Sequence, residues 1–421
     1  MNKLTLLTSS LVLAASFSIF SLPVMAQDLT AADRERIEAR KNAKTQLPGE
    51  RVGRTITKAL ELYNEEKLDE AIAVLLDADP SGEFDKAFLN RFLGNIYAFK
   101  QPDQAVKYLE MAIKPDVLGF NDQSAALKLL ADLQIQDGKF KAAIQSYRSW
   151  MRFTGDNDPD AYFRIAQAHY QLGEYDKAIP AADNAIRFAK EPNKSYYLTK
   201  MGAFYELKRY PETVATVETM VQLFPEEKTY WGYLGNFYTL VEDYSKSLSA
   251  FQIAHSQGFL EKESELKALG QMYANNNIPY KAATIYEKYV KSGQIKKDKT
   301  MLAAIASNYQ AAREFSKAAE YYGELAKLTN EADAYRRQGV ALMSIQRYQD
   351  AITAFNAALS RDADRTGSIH LNILEAYFYQ GKYKEAYAAL LEAKKDPSAA
   401  RQVRSWDSYI KDRAKTKGIS L

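Results

Sequence analysis

The sequence contains no cysteine in 421 residues. Disulfides, thiolate metal sites, iron–sulfur clusters and thiol nucleophiles are thereby excluded. Histidine is nearly as scarce: His169, His255 and His370 are the three present, far apart and never two at ligand spacing on one helix. There is no Gly-x-Ser-x-Gly, no phosphate loop with its Gly-Lys-Thr and no His-Glu-x-x-His. Carboxylates abound, but glutamate-rich helices normally present them to water. No catalytic residue, cofactor or metal is expected. Charge of one sign is also missing. Leaving out the first 26 residues, whose only charge is Lys3, 55 Lys and Arg face 53 Asp and Glu, a net +2. That balance points to neither nucleic acid nor an acidic membrane.

Long apolar runs are confined to the start. Residues 1–26 read MNKLTLLTSSLVLAASFSIFSLPVMA: a basic Lys3, an apolar Leu4 to Phe20, a helix-breaking Pro23 and small or tolerated residues up to Ala26. This is the pattern of a cleaved secretory signal, too short and too interrupted by Ser and Thr for a spanning helix. Cleavage would leave Gln27 first, and no later stretch is apolar enough to cross a bilayer. Residues 27–51 are polar; Thr30 with Asp33 suggests a capping box, and a short solvated helix or tether is expected.

What the chain has in quantity is repetition. A small residue recurs ahead of an apolar helix at Ala71, Ala105, Ala143, Ala178, Thr213, Ser247, Ala282, Ala318, Ala351 and Ala386, at spacings of 34, 38, 35, 35, 34, 35, 36, 33 and 35. Twelve residues before most of these anchors stands another small residue, such as Ala131, Ala166, Gly235, Gly270 or Gly339. Aromatics fall four residues after several: Tyr147, Phe251, Tyr286, Tyr322 and Phe355. Offsets of three, four and seven put these on one helical stripe. Each period therefore predicts two helices of about 13 residues, some 20 Å long, whose small residues allow close approach. One such pair cannot bury its apolar face alone, so pairs must stack. The second unit, with Gly94 and Ala105, is one residue short in its turn, and the gap of 38 that follows predicts an irregularity near residues 100–122. After Pro397, Val403, Trp406 and Ile410 form an apolar stripe on an otherwise charged segment, predicting a capping helix within 398–421.

At Trp231, Leu234, Gly235 and Tyr238, within WGYLGNFY, the sequence resembles the opening Trp-x-x-Leu-Gly-x-x-Tyr of the tetratricopeptide repeat. YDKAIPAADNAI from Tyr175 and YQDAITAFNAAL from Tyr348 resemble its second helix. The resemblance spans roughly residues 52–397. It implies an all-α superhelix of about ten helical pairs and a non-catalytic scaffold or adaptor that binds a protein or peptide in its concave groove. Together with the leader it resembles secreted periplasmic members that accompany TonB-type energy transduction or other envelope machinery. A chaperone-like binder of exported chains is the alternative. No nucleic acid and no integral membrane segment are implied. Groove positions of the family fall here on Arg91, Asn95, Lys128, Phe163, Arg164, Gln167, Tyr170, Tyr205, Asn236 and Lys267. Arg91, Asn95 and Arg164 resemble part of a clamp for a C-terminal carboxylate. Leu129 and Asp160 depart from it, standing where the clamp needs Asn and Lys, while Lys128 offers a substitute cation.

Overall fold

Helices this short are marginal in water by themselves and draw their stability from packing on one another. The computed structural model describes residues 29–421; the expected signal and its cleavage point lie outside the described residues. Among those described there are 22 α-helices, one 3-10 turn and no strand, so the fold is all-α. The chain divides into two compact units, one ending at Thr216 and one running from Val217 to Leu421.

The first unit opens with α1 (Ala31–Lys41). Then come α2 (Glu50–Asn64) with α3 (Leu68–Leu76), α4 (Glu83–Tyr97) with α5 (Pro102–Ile113), α6 (Phe120–Gln136) with α7 (Phe140–Thr154), α8 (Pro159–Gln171) with α9 (Tyr175–Phe188), and α10 (Lys194–Glu206). The division falls inside α11 (Tyr210–Leu223). The second unit continues with α12 (Lys228–Leu240) and α13 (Tyr244–Ser256), α14 (Glu263–Asn275) and α15 (Pro279–Lys291), α16 (Lys299–Ala311) and α17 (Phe315–Thr329). It ends with α18 (Ala332–Ser344) and α19 (Tyr348–Leu359), α20 (Thr366–Tyr379) and α21 (Tyr383–Ala393), then α22 (Ala400–Thr416). From α2 to α21 this makes ten consecutive pairs, and within each unit a helix packs chiefly on its neighbours in sequence.

The register read from the sequence is the register of the core. All ten anchors, from Ala71 to Ala386, are 0% exposed, including the polar Thr213 and Ser247. The hydroxyl of Ser247 donates to the Gly235 carbonyl at 2.8 Å, so it is buried with a partner. Opposite Ser247, Ala282 and Ala351 the first helix approaches until no side chain fits. A Cβ on Gly235 would lie 2.6 Å from the Phe251 ring, one on Gly270 2.2 Å from Tyr286, and one on Gly339 2.5 Å from Phe355.

Turns inside the pairs follow a rule that composition hid. Five residues before the anchor, nine of the ten turns hold a residue at positive φ. Three are glycines, Gly138, Gly173 and Gly381; six are Glu66, Lys208, Glu242, Asn277, Arg313 and Gln346. At Glu242 the amide donates to Thr239 O at 3.0 Å and the next amide, of Asp243, to Tyr238 O at 2.9 Å, the hydrogen bonds that close a helix in the left-handed conformation. The exception is the second pair, where the missing residue removes the left-handed position. Lys100 and Gln101 both donate to the Tyr97 carbonyl instead, at 2.9 and 2.7 Å.

The 38-residue gap is an insertion between α5 and α6. It places Asp116 at φ 56° and buries Leu118 against Phe84, Ala87 and Ala112. It also receives α1, the short and largely exposed helix expected within residues 27–51, which is docked by a few specific contacts. The capping box at Thr30 and Asp33 is formed, each backbone amide donating to the other's side chain at 3.1 Å. Ile37 is buried, and Ile37 and Leu29 pack where Gly155, at φ 76°, has no side chain. Arg40 donates to the Asp116 carboxylate at 2.8 Å and to the carbonyls of Asp116 and Leu118 at 3.0 and 3.3 Å, while lying over the Phe153 ring. At the other end α22 covers the last pair through Val403, Ile410 and Ala414, all buried.

Candidate functional site

Two clefts flank α6 in the first unit, and their chemistry differs. On one side Leu60 and Tyr63 of α2, Phe92 of α4, Phe99 after it and Leu129 of α6 line an apolar cleft of about 360 Å³, with Asn95 as its main polar group. Phe99 is 70% exposed there and its ring meets Tyr63 at 5.9 Å. On the other side, between α6, α8 and α10, a polar cleft of about 330 Å³ is lined by Lys128, Asp132, Asp160, Phe163, Arg164 and Tyr196, among others.

Two buried tyrosines, Tyr147 and Tyr196, fix the carboxylates of the polar cleft. Tyr147, fully buried on α7, reaches through to donate its hydroxyl to Asp132. Tyr196 donates to Asp160 at 2.7 Å and packs on Phe163 at 4.9 Å. Burial first, then the bond to a carboxylate, pushes the Tyr196 hydroxyl up to about 12 and raises that of Tyr147 as well, so both remain donors. Each Asp is thereby partly satisfied. Lys128 lies over the Trp150 ring at 4.7 Å, with its ammonium 3.8 Å from Asp158. Arg164 is exposed and makes a single 3.4 Å contact to Gln167. Its planar fork therefore has donors left for a partner's carboxylate.

The groove residues expected from the sequence separate into groups. Lys128, Phe163 and Arg164 line the polar cleft, and Asn95 the apolar one. Gln167 stands beside Arg164. Arg91 does not join them as a presented cation, which corrects its expected place as an open groove residue. Its guanidinium is 3.2 Å from Asp122, lies over the rings of Phe88 and Phe92, and has a pKa lowered by burial with Asp122 opposing. Tyr170 packs edge-on against Tyr175 at 5.1 Å, and Tyr205 lies 6.0 Å from the Tyr210 ring, so both sit at the turns into the second helices. Asn236 and Lys267 belong to the second unit, where Asn236 is exposed and Lys267 pairs with Glu263 at 2.6 Å. Sequence reasoning missed Leu60, Tyr63, Phe99, Tyr147 and Tyr196. Tyr147 was legible as a packing aromatic four residues after its anchor, but nothing in that pattern says that its hydroxyl emerges in a cleft.

His169 is a core residue, 4% exposed, with Nδ1 2.7 Å from Glu174. Burial lowers its pKa against the pull of Glu174. Among the described residues no group of three or more His, Asp or Glu could hold a metal ion, and no helix is long and apolar enough to cross a membrane.

Two family profiles described as tetratricopeptide repeat match the chain, one over residues 304–368 and one over 159–192, the α8–α9 pair that carries Phe163 and Arg164. These segments are tetratricopeptide repeats. Such repeats mediate protein–protein interaction, and the scaffold is generally non-catalytic. No curated protein matches the chain. Among solved structures it is similar to a tetratricopeptide repeat protein from Parabacteroides merdae, at 14% identity over 62% of this chain and 99% of that one, with a TM-score of 0.36. Naa15/Naa10 bound to HypK-THB matches at 15% identity over 92% and 63%, TM-score 0.46. MamA from Desulfovibrio magneticus matches at 20% identity over 42% and 97%, TM-score 0.33. At these scores the likenesses carry no argument about this chain.

Proposed function

We propose that this tetratricopeptide protein is a non-catalytic scaffold of the bacterial periplasm, exported by residues 1–26, that holds a protein partner across the first-helix face of its N-terminal unit. The observation that carries this reading is the pair of unlike clefts on either side of α6. The apolar cleft suits one bulky aliphatic or aromatic side chain. The polar cleft, with Lys128 and the open donors of Arg164, suits an acidic group a few residues away on the same partner. The leader supports export, and a place beside an envelope assembly such as a TonB-type energy-transduction system is the setting we favour.

The test compares capture of envelope proteins by three forms: the wild type, Lys128→Ala with Arg164→Ala, and Lys141→Ala with Lys190→Ala as an exposed control away from the clefts. A stoichiometric partner lost with the first double variant and kept with the second supports the reading. Equal capture by all three refutes it. Cell fractionation and N-terminal sequencing test the compartment, with Gln27 the expected first residue. A second reading, a chaperone-like binder of exported chains, is favoured by the exposed Phe99 in an apolar cleft. It requires many weak clients and dependence on Phe92 and Phe99 rather than on the two cations.

A further inference from the structure

The near-zero net charge conceals a segregation. From Lys394 to the end, eight Lys and Arg face three Asp, a net +5, whereas residues 27–393 hold 47 against 50, a net −3. The excess is concentrated on α22. Its buried residues Val403, Ile410 and Ala414 turn one stripe toward the last pair. On the other side Arg401, Arg404, Ser408, Lys411 and Lys415 follow one another at three-four spacing, all exposed, and so form a second stripe about 21 Å long.

A capping helix needs a polar outer face, which keeps the end of a repeat stack soluble. It does not need one sign of charge. The opposite end of the chain makes the contrast. Helix α1 carries four cations against three anions, and three of the four are paired: Arg36 with Asp33, Arg40 with Asp116, Lys41 with Glu38. Helix α22 carries five cations against two anions, and only Lys411 has an ion pair, with Asp407. Arg401, Arg404 and Lys415 have none with any described residue. Like charges held in a row repel one another, a cost that an anionic surface removes.

The shape of the stripe narrows the partner. It is a straight row on a single helix. It therefore presents charge along a line about 21 Å long. Exposed tyrosines stand nearby: Tyr409, whose hydroxyl accepts from Arg413 at 3.3 Å, and Tyr379, both packed around Phe378. The half-exposed Tyr409 lies on the next face of α22, beside Arg413, while the row of cations itself suits the phosphates of an anionic bilayer surface. We propose that α22 docks this protein on an anionic phospholipid surface, with Arg401, Arg404, Lys411 and Lys415 facing the headgroups.

The test uses the protein beginning at Gln27, which contains every described residue, and sedimentation with vesicles of phosphatidylcholine alone or mixed with phosphatidylglycerol. Binding is expected only to the mixed vesicles and should fall steeply as salt rises. The variant Arg401→Gln, Arg404→Gln, Lys415→Gln should bind on the order of a hundredfold more weakly with unchanged helix content, because none of the three side chains is buried. A control variant with the same charge change elsewhere, Lys107→Gln, Lys141→Gln, Lys190→Gln, should bind as the wild type does. No binding to the mixed vesicles at low salt overturns the proposal, as does equal binding by the α22 variant or an equal loss in the control. Polyglutamate bound through the same three residues, with vesicles ignored, also overturns it and assigns the stripe to an acidic polypeptide.

Discussion

Helix α12 contains two glycines three residues apart whose surroundings are opposite, and this permits a sharp test of the packing. A Cβ on Gly235 would meet three atoms of the Phe251 ring at 2.6, 2.8 and 2.9 Å, whereas one on Gly232 would meet nothing within 4 Å. Phe251 is 1% exposed, so its ring has no solvent to move into. Both changes to alanine gain the same helix propensity, close to 1 kcal/mol, because glycine is the poorer helix former. Only Gly235→Ala must also push α12 from α13 by several tenths of an ångström, and overpacking of this kind costs typically 1–3 kcal/mol. Gly232→Ala should therefore stabilise by about 0.5–1 kcal/mol, and Gly235→Ala should be neutral to destabilising by about 2. The difference between the two, about 1–3 kcal/mol, does not depend on the shared propensity. Urea unfolding followed by helix ellipticity measures it, provided the slopes are unchanged. Equal stabilisation by both substitutions would refute the close approach of the two helices, and with it the register of the repeat.

Three further outcomes are expected. The six turn residues held at positive φ without being glycine are strained, so Glu242→Gly and Arg313→Gly should each raise stability by roughly 0.5–1 kcal/mol, while Gly173→Ala should lower it; unfolding midpoints in the reverse order would show that the turns are not left-handed. Glu287, 12% exposed, is raised by burial but lowered more by Lys291, Tyr309, Tyr321 and Lys317, leaving it at about 2 instead of 4.5. Its folded value is depressed, so its contribution is complete above the ordinary carboxylate range and is lost as pH falls through 4.5 toward 2. It amounts to on the order of 3 kcal/mol, and the stability gap between wild type and Glu287→Gln should narrow over that interval; a constant gap would contradict it. Finally, Arg40→Ala should release α1 from Asp116 and Leu118, so that limited proteolysis cuts before residue 50 much faster while the melting of the repeats is little changed; unaltered cleavage would mean that the buried Ile37 alone holds the helix.

The repeat was legible in the sequence because it is an interaction between near neighbours. Small residues at fixed offsets are needed wherever two helices touch. The ten anchors found by spacing alone are therefore all fully buried, and the shortened second unit showed as a missing residue before it showed as a turn without a left-handed position. The C-terminal cap was legible for the same reason: Val403 and Ile410 lie seven residues apart on one helix. The polar half of the site was half legible. Lys128, Phe163 and Arg164 were found by their place in the unit, since successive first helices present equivalent positions side by side.

Tertiary structure alone decided the rest. Arg91 occupies a groove position as Lys128 does, yet Asp122 and two phenylalanine rings claim it, because an ion pair depends on side-chain reach across helices and not on spacing along one. The docking of α1 was likewise hidden. Arg40 meets residues 76 and 78 positions away, at an insertion whose backbone carbonyls no sequence pattern announces. Periodicity reports which face of a helix is buried, and it determined the fold, the register and the cap. Which polar side chains are left open for a partner is set by charge neutralisation between segments distant in the chain, and that is settled only when the helices are brought together.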